Sequence, residues 1–284
     1  MANWVEATVI KNHHWNDDLF SLTLDAPVEA FTAGQFTKLA LDIDGTRVQR
    51  AYSYVNSPNA PLEIYATRVA DGLLSPKLHA LKEGDKVFIT PQANGFFTLD
   101  EVPEGDILWL FATGTAIGPY LSILGESTVW QRFNTIVLVH AVRYQADLSY
   151  QQTVAKFQAN HPNQLYYQPF VSRESIANTL AGRIPQAISN GSLEQVLELS
   201  LIPEHSQIML CGNPQMVRDT REALEGKGFK KIFVVNPGRL RWKITGNQTE
   251  ISVKLHTYQY FIADYTQIRH EILVGTYGIT SLFR

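Results

Sequence analysis

The 284-residue chain has a single cysteine, Cys211. One thiol excludes an internal disulfide and leaves too few ligands for a cysteine-bound iron–sulfur cluster or structural zinc. It suits a reducing cytoplasm, the compartment we expect. No apolar stretch approaches the roughly 18 residues of a membrane span. The opening Met-Ala-Asn-Trp-Val-Glu lacks a basic region followed by an apolar run, so neither a membrane segment nor a signal peptide is expected. A surplus of positive charge is also missing. The 24 Lys and Arg against 27 Asp and Glu leave a net charge of −3, which gives no footprint for nucleic acid. The eight histidines show no ligand spacing, with His13 and His14 reading as a surface pair, and no metal site is expected. Internal repeats and low-complexity tracts are absent.

What is present divides into two rhythms. In the first hundred residues, short runs rich in β-branched and aromatic residues (5–10, 19–24, 37–41 and 62–67) alternate with turn signals. Asp44-Gly45 is a hairpin turn. Ser75 is the expected N-cap of one helix, with Pro76 in its first turn. Many short strands of this kind build a small barrel or sandwich. After about residue 104 the strands become unbroken apolar runs (107–112, 135–141, 164–171 and 207–210) separated by helical patterns such as 150–160 and 214–226. Strands alternating with helices form a parallel, doubly wound sheet. The change falls near Glu101–Gly105, whose Pro and Gly suit a linker.

Residues 50–54, Arg-Ala-Tyr-Ser-Tyr, carry the most chemical information. A strand bearing an arginine, an aromatic ring and a hydroxyl can hold a flavin. Arg50 forks onto a pyrophosphate, Tyr52 lies against the ring, and Ser53 reaches a ring nitrogen. Gly72-Leu73-Leu74-Ser75 opens a helix and offers backbone amides to a phosphate. Thr113-Gly114-Thr115-Ala116-Ile117-Gly118-Pro119 joins a strand to a helix, a place where glycines admit a dinucleotide. Sheets that bind NAD often end their second strand with Asp or Glu, whereas an arginine there accommodates a 2′-phosphate. This chain has Arg143-Tyr144, with Arg173 and Arg183 following later turns, and Tyr144 or Tyr150 can stack on adenine. Cys211-Gly212-Asn213-Pro214 ends the fourth parallel strand, where ligands of open α/β sheets bind. Its thiol is read either as a neighbour of the nicotinamide or as an inert buried group.

Taken together, these motifs resemble the ferredoxin/flavodoxin–NADP⁺ reductase family, bacterial branch, over about residues 3–231. Arg50–Ser53 is similar to the flavin motif of that family, Gly72–Ser75 to its pyrophosphate segment, Gly114–Pro119 to its nicotinamide-side loop, and Cys211–Met216 to its terminal-strand motif. Arg143, Arg173 and Arg183 stand where that branch binds the 2′-phosphate. Leu73 departs from the pattern, since relatives often carry a basic residue there.

The resemblance implies an antiparallel β-barrel FAD domain (1–101), a doubly wound NADP domain (102–238) and an atypical tail (239–284). It also implies hydride exchange between NADP(H) and FAD, with Ser53 and Tyr52 at the flavin. Single electrons would pass to ferredoxin and/or flavodoxin, by a monomer. Two alternatives remain: an NADPH-dependent flavin or oxygenase-partner reductase, and an inactive flavoprotein with a disrupted C-terminus. The second arises because the branch commonly ends in a short segment finishing Tyr-Trp, which this chain lacks. Codons for residues 239–247, displaced by one nucleotide, can read Gln-Ile-Thr-Val-Glu-Asn-Tyr-Trp-stop. Those for 232–235 can likewise shift to a basic segment such as His-Leu-Arg-Arg. We therefore expect the tail to be translated out of frame.

Overall fold

The computed structural model describes residues 3–230 and 232–234; the tail at 239–284, with the reading-frame expectation attached to it, lies outside them. The first half is a six-stranded antiparallel sheet made of β1 (Val5–His14), β2 (Leu19–Asp25), β3 (Phe36–Ile43), β4 (Thr46–Ser53), β5 (Leu62–Thr67) and, after helix α1 (Ser75–His79), β6 (Lys86–Ile89). The strand order is β4-β3-β6-β1-β2-β5. A bridge between Tyr54 and Ile64 joins the two edges, and the Val55 N–H donates to the Glu63 carbonyl at 2.9 Å. The sheet therefore closes as a barrel, which leaves no long edge exposed. Alternation fills its interior with Ala7, Val9, Phe20, Leu22, Leu39, Ile64 and Ile89. The β3–β4 hairpin turns on Asp44 and Gly45, whose φ angles of 49° and 75° both lie in the left-handed region. That is the geometry a two-residue turn needs to match strand twist.

The second half is a parallel sheet of β7 (Ile107–Thr113), β8 (Thr135–Val142), β9 (Leu165–Val171), β10 (Leu180–Ala181), β11 (Ser206–Cys211) and β12 (Phe233–Val234), in the order β10-β9-β8-β7-β11-β12. Helices α2 (Ile117–Leu124), α3 (Ser127–Arg132) and α4 (Gln151–Asn160) share one core with one face of the sheet. The other face packs with α5 (Ile184–Ser189), α6 (Ser192–Leu197) and α7 (Pro214–Gly226). A sheet covered on both faces needs strands that are apolar throughout. Leu108 to Ala112 and Ile136 to Val139 accordingly show no exposure. The order in which the chain adds strands reverses between β7 and β11, which pair in parallel, and that makes the crevice between them the switch point where open α/β sheets bind ligands. No helix among the described residues is long and apolar enough to cross a membrane.

The two halves share a core. Leu19, Val55 and Tyr65 of the barrel pack with Ile117, Tyr120 and Tyr150 of the helical layer. The connecting segment near Val102 is tied down by Arg132, whose guanidinium donates to the carbonyls of Leu99 and Val102.

Candidate functional site

Strand alternation sends Arg50 and Tyr52 to one side of β4 and Ala51 and Ser53 to the other. Arg50 donates to the Gln49 carbonyl at 2.7 Å. Ser53 and Ala51 are half-buried. Tyr52 is 8% exposed and packs with the barrel core. Burial pushes its phenol well up, against a smaller lowering by Arg50, so the ring is neutral. Tyr54 is spent elsewhere: its ring stacks on Phe31 at 4.1 Å.

The segment at 72–75 differs from the expectation in one respect. Ser75 does not cap α1. Leu74 occupies that position without a side-chain cap. The Ser75 hydroxyl instead accepts from the Val69 N–H at 2.9 Å, closing the preceding turn. A local bond with well-matched geometry competes successfully with the cap. Leu74 is buried in the barrel, Leu73 is exposed, and Gly72 sits against Val69. The leading N–H groups of the helix lack intrahelical acceptors, as in any first turn.

At the switch point the ends of β7 and β11 interlock. Gly212 has φ +136°, and a Cβ there would fall 2.0 Å from the Thr113 hydroxyl; only glycine fits. The same hydroxyl accepts the Asn213 N–H at 2.8 Å. The Asn213 side chain then caps α7 by accepting from Gln215 and Met216. Beneath this knot, the Tyr120 hydroxyl lies 2.8 Å from the Met209 carbonyl and 3.1 Å from that of Phe111, which ties α2 to both strands. Cys211 is half-buried against the shared core, and desolvation pushes its thiol up to about 12, which disfavours the thiolate. Thr115 lies in the turn between β7 and α2. Gly118 is buried and faces Val55, which ends the flavin-type strand; a Cβ on it would lie 3.3 Å from the valine methyl. Its role is to seat α2 on the barrel. Val55, just beyond β4, and the start of α2 therefore meet across the contact between the two halves.

The three arginines follow the ends of neighbouring strands. Val142 of β8 pairs with Val171 of β9, and Ala181 of β10 pairs with Val171. Arg143, Arg173 and Arg183 thus follow the carboxyl ends of three neighbouring strands. The Arg173 N–H donates to the Arg143 carbonyl at 3.0 Å. The Arg173 guanidinium donates to the Tyr144 hydroxyl at 3.2 Å and lies 5.7 Å from its ring centroid. Tyr144 is exposed and available to stack. Tyr150 is not, which corrects the second candidate for adenine. It is 5% exposed, wedged between the halves, with its ring 4.5 Å from that of Trp15. Its hydroxyl donates to Glu63 at 2.6 Å and lies 2.5 Å from the Ser21 hydroxyl.

Sequence reasoning missed His140. It is fully buried in β8, its Nε2 donates to the Gly114 carbonyl at 3.0 Å, and burial lowers its pKa to about 4. The available signal was a lone histidine inside an otherwise apolar strand.

Comparison with known proteins places these features. Residues 6–95 match the oxidoreductase FAD-binding domain and residues 110–222 the oxidoreductase NAD-binding domain. The flavodoxin/ferredoxin–NADP reductase of Escherichia coli (strain K12) is 57% identical over 222 residues, covering 78% of this chain and 90% of that protein. The chain belongs to the flavodoxin/ferredoxin–NADP reductase family. Within that family, the ferredoxin–NADP reductase of Pseudomonas aeruginosa is 34% identical, with 81% of this chain and 92% of that protein covered. A Neisseria gonorrhoeae ferredoxin NADP⁺ reductase solved with bound FAD and NADP superposes with a TM-score of 0.76 at 32% identity, covering 80% of this chain and 93% of that one. Like other flavodoxin/ferredoxin–NADP reductases, this chain is an oxidoreductase that uses FAD and NADP.

Proposed function

We propose that the chain exchanges a hydride with NADP(H) and single electrons with ferredoxin or flavodoxin. The observation that carries this reading is the packing of Val55, just after the 50–53 motif of β4, against the start of α2, beside a switch point from which three arginines follow neighbouring strand ends. FAD, when bound, supplies the conversion between a two-electron donor and one-electron acceptors. The residues of this chain hold and orient it. Arg50 pairs with the pyrophosphate, aided by the amides of residues 73–75 at the start of α1. Tyr52, neutral and packed into the barrel wall, backs the flavin, and the Ser53 hydroxyl hydrogen-bonds flavin N5. Arg143, Arg173 and Arg183 bind the 2′-phosphate, and Tyr144 covers the adenine. The interlocked Thr113–Thr115 and Cys211–Asn213 turns floor the nicotinamide.

The proposed division is 1–101 for the FAD barrel and 102–238 for the NADP sheet. A monomer working in a reducing cytoplasm, without nucleic acid, accords with the near-neutral charge and single cysteine. The test is an NADPH-driven assay with three acceptors. Flavodoxin or ferredoxin should be reduced faster than free flavin. A preference for free flavin would move the assignment to a flavin reductase.

A further inference from the structure

His140 is an expensive residue to keep where it is. Strand β8 is buried on both faces, and the neighbours Val139 and Val142 are apolar. The imidazole has no exposed surface, and its Nδ1 has no hydrogen-bond partner among the described residues. An unpaired buried polar atom is costly, because it loses its hydrogen bonds to water and gains none in return. Such a group, here on an imidazole with no exposed surface, calls for a reason outside stability.

The partner of its other nitrogen supplies that reason. Nε2 bonds the Gly114 carbonyl, which also accepts from the Ile117 N–H that starts α2. In a trans peptide the carbonyl and the following N–H point in opposite directions. Drawing the Gly114 carbonyl inward to the imidazole therefore turns the Thr115 N–H away from the core. A Cβ on Gly114 would meet nothing within 4 Å, so the turn faces open space on that side. The histidine itself is sealed beneath the sheet, so it acts only through the turn.

We propose that His140 is a positioning residue that fixes the 114–115 peptide, so that its amide is presented to the nicotinamide half of the pyridine dinucleotide. This rests on the reductase reading above. It predicts that His140 governs dinucleotide binding while leaving flavin binding intact, because Arg50, Tyr52 and Ser53 are held by the barrel.

The test compares holoenzymes carrying His140→Leu, which has no donor, and His140→Gln, whose amide can still donate to a carbonyl. FAD content, melting temperature and steady-state kinetics with NADPH are measured for each. Wild type must first hold flavin and be bleached by NADPH; failure there overturns the reductase reading itself, independently of His140. For the leucine variant we expect normal FAD content and a KM for NADPH raised about tenfold, the size of one hydrogen bond. The rise in KM should exceed any fall in kcat. Glutamine should recover most of the loss. If the leucine variant does not retain FAD, His140→Met, unbranched and easier to accommodate, repeats the apolar test. A flavin-loaded apolar variant with the wild-type KM overturns the proposal, as does a glutamine variant no better than the apolar ones.

Discussion

Arg173 sits beside the exposed ring of Tyr144 with its backbone bonded to that of Arg143, and truncating it should remove a charge-assisted contact to phosphate. Such contacts are worth about 1.5–3 kcal/mol, so Arg173→Ala should raise the KM for NADPH roughly 10- to 100-fold. The KM for NADH, which lacks the 2′-phosphate, should barely move. Equal losses for both cofactors would assign Arg173 to the fold instead. His140 makes a second prediction at this scale. Burial lowers its folded pKa to about 4, below the ordinary 6.5, so the unfolded chain binds the proton more readily. The stability this confers is fully present above about pH 6.5 and falls as pH drops toward 4, by up to about 3 kcal/mol. Urea midpoints measured between these pH values should fall less steeply in His140→Gln than in wild type. Cys211 makes a third: with its thiol pushed up to about 12, it should resist alkylation in the native protein near pH 8 and react at once in denaturant. The positions of the motifs on the elements were legible in the sequence, since Arg50–Ser53 lie in a strand and the others follow a strand or open a helix. The use of each ring was not. Tyr144 and Tyr150 are six positions apart, and only packing shows that one is open and the other enclosed.

The longer elements follow from local pattern: the apolar runs of β7, β8, β9 and β11, the Asp44-Gly45 hairpin and α7, bounded by Asn213-Pro214, all stand where periodicity and caps put them. The two-residue strands β10 and β12 and the six-residue helices α3, α5 and α6 are too short to carry a period. They exist because the sheet edges and the core behind them need covering. The placement of the three arginines after neighbouring strands depends on strand order, which periodicity does not encode. At the contact between the halves, Trp15 donates to Ser21 at 2.8 Å, Ser21 meets Tyr150, Tyr150 donates to Glu63, and Tyr65 donates to Ser149 at 2.8 Å. Tyr150→Phe would leave the Glu63 carboxylate without this donor. It should destabilise the protein by about 1–3 kcal/mol, read as a lower urea midpoint. A double-mutant cycle with Glu63→Gln should show coupling between the two positions; strict additivity would mean that the bond contributes nothing.

For the whole molecule, the E. coli relative aligns with 90% of its own length but only 78% of this chain, so more of this chain than of that protein goes unmatched. We propose that residues 239–284 arise from a displaced reading frame; sequencing the coding strand should reveal codons compatible with the shifted reading Gln-Ile-Thr-Val-Glu-Asn-Tyr-Trp-stop. Codons incompatible with that reading would make the tail a genuine extension. The central claim is that barrel and parallel sheet together pass electrons from NADPH to a flavin. The most direct measurement is the absorbance spectrum of the purified chain, recorded without oxygen before and after NADPH. The account predicts flavin bands that bleach on addition of NADPH. A protein that never takes up flavin, even when supplied with FAD, would contradict the roles given to Arg50, Tyr52 and Ser53, and with them the proposed function.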